Sequence, residues 1–76
     1  MQLSVECTFS PTGTVQVKRI KIGDRWQMVE QGRQWVDANG RHILIILAAN
    51  QVHELVLNPA TLTWNLEPGS SMQTYI

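Results

Sequence analysis

The residues of this chain that most often perform chemistry are its two histidines and its single cysteine. Neither His42 nor His53 has acidic or thiol residues at the spacing that a metal site requires, and the adjacent His53 and Glu54 point to opposite faces of a strand. Cys7 alternates with polar residues, which predicts a small buried hydrophobe, and a nucleophilic thiol would need a neighbouring base. We therefore expect structural roles for all three side chains and no metal ion.

Other catalytic signatures do not occur in the sequence either. The serines show no nucleophile-elbow pattern, and no glycine-rich phosphate loop precedes a helix. The six carboxylates are scattered along the chain without an obvious acid/base pair. The sequence therefore predicts a protein that is not an enzyme and that requires no cofactor.

Basic residues cluster on one predicted hairpin beside a tryptophan, although the formal net charge of the chain is zero. Basic side chains next to an aromatic ring on a small β-barrel are typical of proteins that bind single-stranded nucleic acid. A domain without net positive charge is expected to bind nucleic acid weakly, and solvated strand faces are the other interpretation of the same residues. The candidate nucleic-acid contacts are Lys18, Arg19, Lys21, Arg25 and Trp26.

An apolar run without polar alternation predicts a strand that is buried on both faces, or one whose outer face meets a partner. A small barrel has a single interior, so about half of such a run should point outward. Either a second layer, such as the C-terminal Tyr75-Ile76 segment, or another subunit must cover the outward residues. We expect a homodimer built around this strand, with Leu44 or Ile46 facing the partner. The candidate interface residues are Ile43, Leu44, Ile45, Ile46 and Leu47, together with Trp35 in an irregular stretch between two glycines.

Short strands are the elements that must position these residues. Period-two alternation predicts one inward set along the chain, and its members are Leu3, Val5, Cys7, Phe9, Val15, Val17, Ile20, Ile22, Trp26, Met28, Leu62, Trp64 and Leu66. For Trp26, Trp35 and Trp64, an exposed stacking or protein-docking anchor is the alternative to packing in the core. The phase of this set slips between Val17 and Ile20, which predicts a β-bulge at Lys18-Arg19. Gly23-Asp24 and Asn39-Gly40 predict tight hairpin turns.

Six or seven strands at hairpin spacing, without helical periodicity of useful length, predict an all-β fold. We expect a small, antiparallel, strongly bent sheet that closes into a barrel or roll. Residues 1–69 form the single predicted domain, and residues 70–76 form a C-terminal tail. One cysteine allows no intrachain disulfide, and the first twenty residues do not have the layout of a secretory signal. We therefore expect a cytoplasmic protein that does not enter a membrane.

Four segments between Gly23 and Glu67 resemble an uncharacterised family of small bacterial domains. The matching segments are Gly23-Asp24-Arg25-Trp26, Trp35-Val36, residues 52–58 and residues 63–67. They resemble a glycine-aromatic turn, a mid-chain tryptophan, a Glu-Leu strand and a terminal Trp-x-Leu strand. Members of that family occur alone or beside translesion-polymerase-like proteins, so the resemblance implies a small β fold and an association with DNA transactions, without supplying a site. His53 stands where an aromatic residue is usual.

These observations favour a non-catalytic protein-interaction or self-association module. The alternative is a weak nucleic-acid-binding accessory domain. The nucleic-acid hypothesis expects the basic side chains to converge around an exposed tryptophan, whereas the protein-interaction hypothesis does not require this arrangement.

Overall fold

The computed structural model describes residues 2–68, which form one sheet of seven antiparallel strands. The strands are β1 (Gln2–Phe9), β2 (Val15–Ile22), β3 (Arg25–Met28), β4 (Glu30–Asp37), β5 (Gly40–Leu47), β6 (Gln51–Asn58) and β7 (Thr63–Pro68), and a 3₁₀ turn, Ala48–Asn50, joins β5 to β6. Their spatial order is β3-β2-β1-β7-β6-β5-β4, and the sheet curls strongly into a half-barrel. The predicted all-β fold class is confirmed, whereas the predicted tail at residues 70–76 lies outside the described residues.

Every second residue along the strands points to the concave face of the half-barrel and fills it. The buried core consists of Val15, Val17, Ile20, Ile43, Ile45, Leu47 and Leu55, and partly buried Leu3, Val5, Cys7, Ile22, Val29, Trp64 and Leu66 pack against it. Most of the predicted inward set is therefore in the core. The prediction is wrong for Phe9, which is exposed at the end of β1, and for Leu62, which lies with a positive φ in the turn before β7.

The predicted bulge in β2 is present. Glu6 of β1 pairs with Arg19 while the next residue, Cys7, pairs with Val17, so Lys18 is the extra residue of the bulge. This one-residue insertion restores the phase of the strand and places both Val17 and Ile20 in the core, as the sequence predicts.

A second bulge, in β4, allows two glutamines to close the half-barrel. Gln31 pairs with Ile45 and Gln34 pairs with Ile43, so three steps on β4 match two on β5 and both glutamines share the concave face. On the edge away from β1, β2 pairs with β3 only through residues 19–22, and in the described chain no other strand lies beside Val15 and Val17 on that edge. The glutamine amides take that place.

The contacts of these amides reproduce those of a peptide group. Gln31 accepts a hydrogen bond from the Val17 N–H at 2.7 Å and donates one to the Val15 carbonyl at 2.8 Å. Gln34 accepts from the Val15 N–H at 3.1 Å and donates to the same carbonyl at 2.8 Å. A primary amide carries both the donor and the acceptor of a backbone unit, so these side chains satisfy an otherwise open strand edge.

The hairpin between β4 and β5 places the start of β5 in close contact with the end of β6. Its two turn residues are Ala38 and Asn39, and the Asn39 N–H donates to Asp37 Oδ1 at 2.8 Å. Gly40 follows with φ +133° and pairs with Asp37. A Cβ atom at Gly40 would lie 2.1 Å from the carbonyl oxygen of Leu57. The predicted hairpin is confirmed, and glycine is required here by contact as well as by backbone conformation.

Candidate functional site

The outer face of β2 and β3 carries an exposed aromatic and basic surface. Lys21 pairs with Trp26 and Arg19 pairs with Met28, and directly opposite residues of an antiparallel pair share a face. Trp26 is 42% exposed and Met28 is 75% exposed, so the prediction that these two residues point inward is wrong. The register explains the difference, because Gln27 rather than Trp26 lies opposite the core residue Ile20. We call Arg19, Lys21, Trp26 and Met28 the Trp26 surface.

An acidic residue partly compensates the charge of the Trp26 surface. The Arg19 guanidinium lies over the Trp26 ring at 4.6 Å from the centroid. The same group donates two hydrogen bonds to Glu6, from Nε to Oε1 at 3.0 Å and from Nη2 to Oε2 at 3.2 Å. This bidentate pair holds the guanidinium plane in place, and it occupies donors that would otherwise be available to a ligand.

The five predicted nucleic-acid contacts do not all share this surface. Arg19, Lys21 and Trp26 come together as described, and Lys18 is an exposed neighbour at the bulge. Arg25 pairs with Ile22 and therefore lies on the opposite face of β3. The structure thus brings two of the four basic residues directly beside the exposed tryptophan.

An ionic cluster around one buried histidine occupies the outer face of β4, β5 and β6. His42 is 8% exposed, and both of its ring nitrogens contact carboxylates: Nδ1 lies 2.5 Å from Glu54 Oε2 and Nε2 lies 2.8 Å from Asp37 Oδ1. Trp35 pairs with His42 across the hairpin, and the two rings stack with centroids 5.2 Å apart and planes 3° apart. We call Trp35, Asp37, His42 and Glu54 the His42 cluster.

The two carboxylates raise the proton affinity of the histidine. Burial alone lowers the pKa of His42, but the hydrogen bonds to Glu54 and Asp37 and the charges of both carboxylates outweigh it, so the pKa is raised. Asp37 shows the reciprocal effect: the hydrogen bond from His42, and next that from the Asn39 backbone, lower its pKa. Both ring nitrogens face carboxylate oxygens, which accept hydrogen bonds when ionised, so the contacts fit the doubly protonated ring.

The geometry around His42 suits a structural role of this residue better than a role in catalysis or metal binding. A general base or a metal ligand needs a nitrogen lone pair, and both nitrogens of His42 are directed at carboxylates. Asp37 and Glu54 lie at opposite ends of the ring, so they do not converge on one point. Within residues 2–68 no group of three histidine, cysteine or acidic side chains is arranged to hold a metal ion.

Sequence reasoning did not find the His42 cluster. Asp37 and His42 lie on either side of a predicted hairpin, and their diagonal placement follows once Asp37 is paired with Gly40. Glu54 joins them because Leu44 pairs with Glu54, the position diagonal to His42 on β6. The hairpin signal could have suggested the first contact, but the second depends on the register between β5 and β6.

The predicted interface residues of β5 divide between the two faces of the sheet. Ile43, Ile45 and Leu47 lie in the core. Leu44 is on the outer face but is 0% exposed, and Ile46 is half-buried. Leu44 therefore has no free area to offer a partner in this conformation. Self-association through β5 stays a prediction, with Ile46 and half-buried Trp35 as its remaining accessible members.

The remaining candidate groups are held inside the fold. Cys7 is a free, half-buried thiol, and burial raises its pKa, which disfavours the reactive thiolate. The Nδ1 atom of His53 is buried without a hydrogen-bond partner. In the described part of the chain, no helix is long and apolar enough to cross a membrane.

Comparisons of the chain with protein-family models, curated proteins and solved structures find no match. The function must therefore be inferred from the residues of this chain, and the resemblance noted over residues 23–67 stays a prediction.

Proposed function

We propose that this chain is a non-catalytic protein-interaction module whose partner docks on the Trp26 surface. The observation that carries the proposal is the exposure of Trp26 and Met28 side by side on β3, an edge strand of the sheet. Other exposed large apolar residues, such as Val36 and Leu62, lie on different elements.

The residue types of the Trp26 surface match those of protein interfaces. Tryptophan, methionine and arginine are enriched at the centre of such interfaces, and lysine is depleted there. Within the Trp26 surface, Arg19 contacts the Trp26 ring and lies opposite Met28, and Lys21 lies opposite Trp26. The Arg19 guanidinium is already paired with Glu6. The planar face of the guanidinium can therefore pack against apolar atoms of a partner without leaving an unpaired charge.

The charge of the surface defines the chemistry of the partner. Lys21 and the neighbouring Lys18 are positive, so the partner should offer an apolar pocket for Trp26 with carboxylates at its rim. A second copy docked through the same surface would bring Lys21 toward its symmetry mate. These charges favour a different, acidic protein surface over an identical one.

A nucleic-acid strand is the second candidate, because the Arg19 guanidinium and the Trp26 ring form a stacking platform with Lys21 beside it. Glu6 weakens this candidate, since its carboxylate occupies two donors of Arg19 and would repel a phosphate group. Any such binding should be micromolar at best and should weaken steeply with salt.

The proposal is tested by differential capture with three immobilised forms of the chain. The forms are the wild type, Trp26→Ala and the control Val36→Ala, which removes an exposed apolar side chain from the other edge strand, β4. Circular dichroism and thermal unfolding must first show that all three are folded. Each is incubated with an extract of the source cells, with and without nuclease.

We expect a protein that is retained by the wild type and Val36→Ala, is lost with Trp26→Ala and is insensitive to nuclease. A bound species that nuclease removes would instead support the nucleic-acid candidate. Equal capture by all three forms would overturn the role of the Trp26 surface.

A further inference from the structure

We propose that His42 is a proton-operated lock that holds the β4–β5 hairpin and Trp35 in place. The inference is independent of the function proposed for the Trp26 surface, because the two sites lie on opposite halves of the sheet. Its basis is the geometry of the His42 cluster, in which one buried ring joins three neighbouring strands.

The ring, which belongs to β5, makes two contacts with β4 and one with β6. Nε2 lies 2.8 Å from Asp37 Oδ1 at the end of β4, the ring plane stacks on Trp35 of β4, and Nδ1 lies 2.5 Å from Glu54 Oε2 in the middle of β6. A neutral imidazole has only one N–H group, so it cannot donate to both carboxylates. The complete set of contacts therefore exists only while the ring carries two protons.

Three further charged side chains lie on the strands around the His42 cluster, and they differ in the face of the sheet that they occupy. The Arg33 guanidinium lies 5.6 Å from the centroid of the Trp35 ring. Arg41 precedes His42 but lies on the opposite face, where it donates to Gln34. On β7, Glu67 pairs with Glu54 and adds a negative charge to the same face. Of the groups named around the ring, three are carboxylates, Asp37, Glu54 and Glu67, and one is a guanidinium, Arg33.

The exposure of the two carboxylates predicts which contact opens first. The Glu54 side chain is 16% exposed, whereas that of Asp37 is 44% exposed. A buried acceptor that loses its donor costs more free energy than one that water can reach. On losing one proton, the ring should keep Nδ1–H for Glu54 and release Asp37 to solvent. The stacked Trp35 then faces a neutral ring in place of a cation.

Nuclear magnetic resonance of the full chain, with ¹⁵N-labelled histidine, tests the lock directly. Ring nitrogen shifts recorded across a pH titration report whether His42 carries one or two protons and which tautomer remains. The indole signal of Trp35 reports the stack, and Trp64, which packs on the core face, serves as the internal reference. The variant His53→Asn assigns the two histidines.

We expect His42 to be doubly protonated at the ordinary histidine pKa of about 6.5, to lose a proton only as the pH rises further and then to retain Nδ1–H. The Trp35 signal should shift with the same midpoint, whereas Trp64 should not. Asp37→Asn and Glu54→Gln should each lower that midpoint, and the control Glu67→Gln should change it less.

Two results would overturn the lock. One is a His42 ring that is already neutral at pH 6. The other is a Trp35 signal that does not respond while His42 titrates, because the ring would then change charge without holding the hairpin.

Discussion

Replacing Gly40 with alanine should destabilise the fold far more than the same change at another left-handed glycine. Gly40 begins β5 with φ +133°, and an added Cβ would lie 2.1 Å from the Leu57 carbonyl oxygen and 3.2 Å from Pro59 Cδ. The first contact involves backbone, so a side-chain rotation cannot relieve it. The start of β5 would have to move away from the end of β6.

The expected loss of stability in Gly40→Ala has two separate contributions. An L-residue held in a positive-φ conformation costs about 1–3 kcal/mol. Inserting a methyl group into a closed contact costs about another 1–3 kcal/mol through local displacement. The sum of about 2–6 kcal/mol is a large part of the total stability of about 5–15 kcal/mol that is usual for a domain.

Gly23→Ala is the matched control, because Gly23 has φ +64° and a Cβ there would have no atom within 4 Å. Only the backbone contribution of about 1–3 kcal/mol should apply, without the cost of the contact. Urea unfolding, followed by tryptophan fluorescence, measures both variants against the wild type. If Gly40→Ala lost no more stability than Gly23→Ala, the close approach of β5 and β6 would be refuted.

Three further predictions concern the other structural contacts. The raised pKa of His42 gives a stabilisation that is complete below about pH 6.5, the unfolded value, and is lost as the pH rises through the folded pKa. The melting temperature should therefore fall as the pH rises above about 6.5, and His42→Asn should remove that fall. Gln31→Ala leaves the Val17 N–H without its acceptor, which should cost about 1–3 kcal/mol and accelerate hydrogen exchange at that amide; unchanged exchange would contradict the closure of the half-barrel by glutamine. Glu6→Gln should cost no more than about 1 kcal/mol in thermal unfolding, because both partners of its ion pair with Arg19 are substantially exposed, and a larger loss would mean that the pair supports the fold.

The strand pattern could be predicted because it depends on local alternation and turn chemistry. The phase slip after Val17 located the bulge at Lys18, and the asparagine-glycine pair located the hairpin that ends at Gly40. Alternation failed at Trp26, since the tight turn at Gly23-Asp24 sets the register of β3 and places Gln27 opposite the core. A strand of four residues at a sheet edge carries too little apolar area to fix its own face.

The sites depended on information that a single segment does not contain. The Trp26 surface needed the register of β2 against β3, because Arg25 and Trp26 are neighbours in sequence but lie on opposite faces. The His42 cluster needed three strands in register. Its two acidic members, Asp37 and Glu54, lie 5 and 12 positions from His42 in the sequence and on different strands. The closure by Gln31 and Gln34 was hidden for a similar reason, since only a bulge in β4 puts both on one face.

The central claim is that the Trp26 surface is where this domain recognises a protein. The most direct test is the affinity of the captured protein, once purified, for the wild type, Trp26→Ala and Val36→Ala, measured by calorimetry at two salt concentrations. A buried tryptophan anchor is worth about 2 kcal/mol or more, so Trp26→Ala should weaken binding by about 30-fold or more, while Val36→Ala should bind within about twofold of the wild type. Equal affinities of the wild type and Trp26→Ala would contradict the claim.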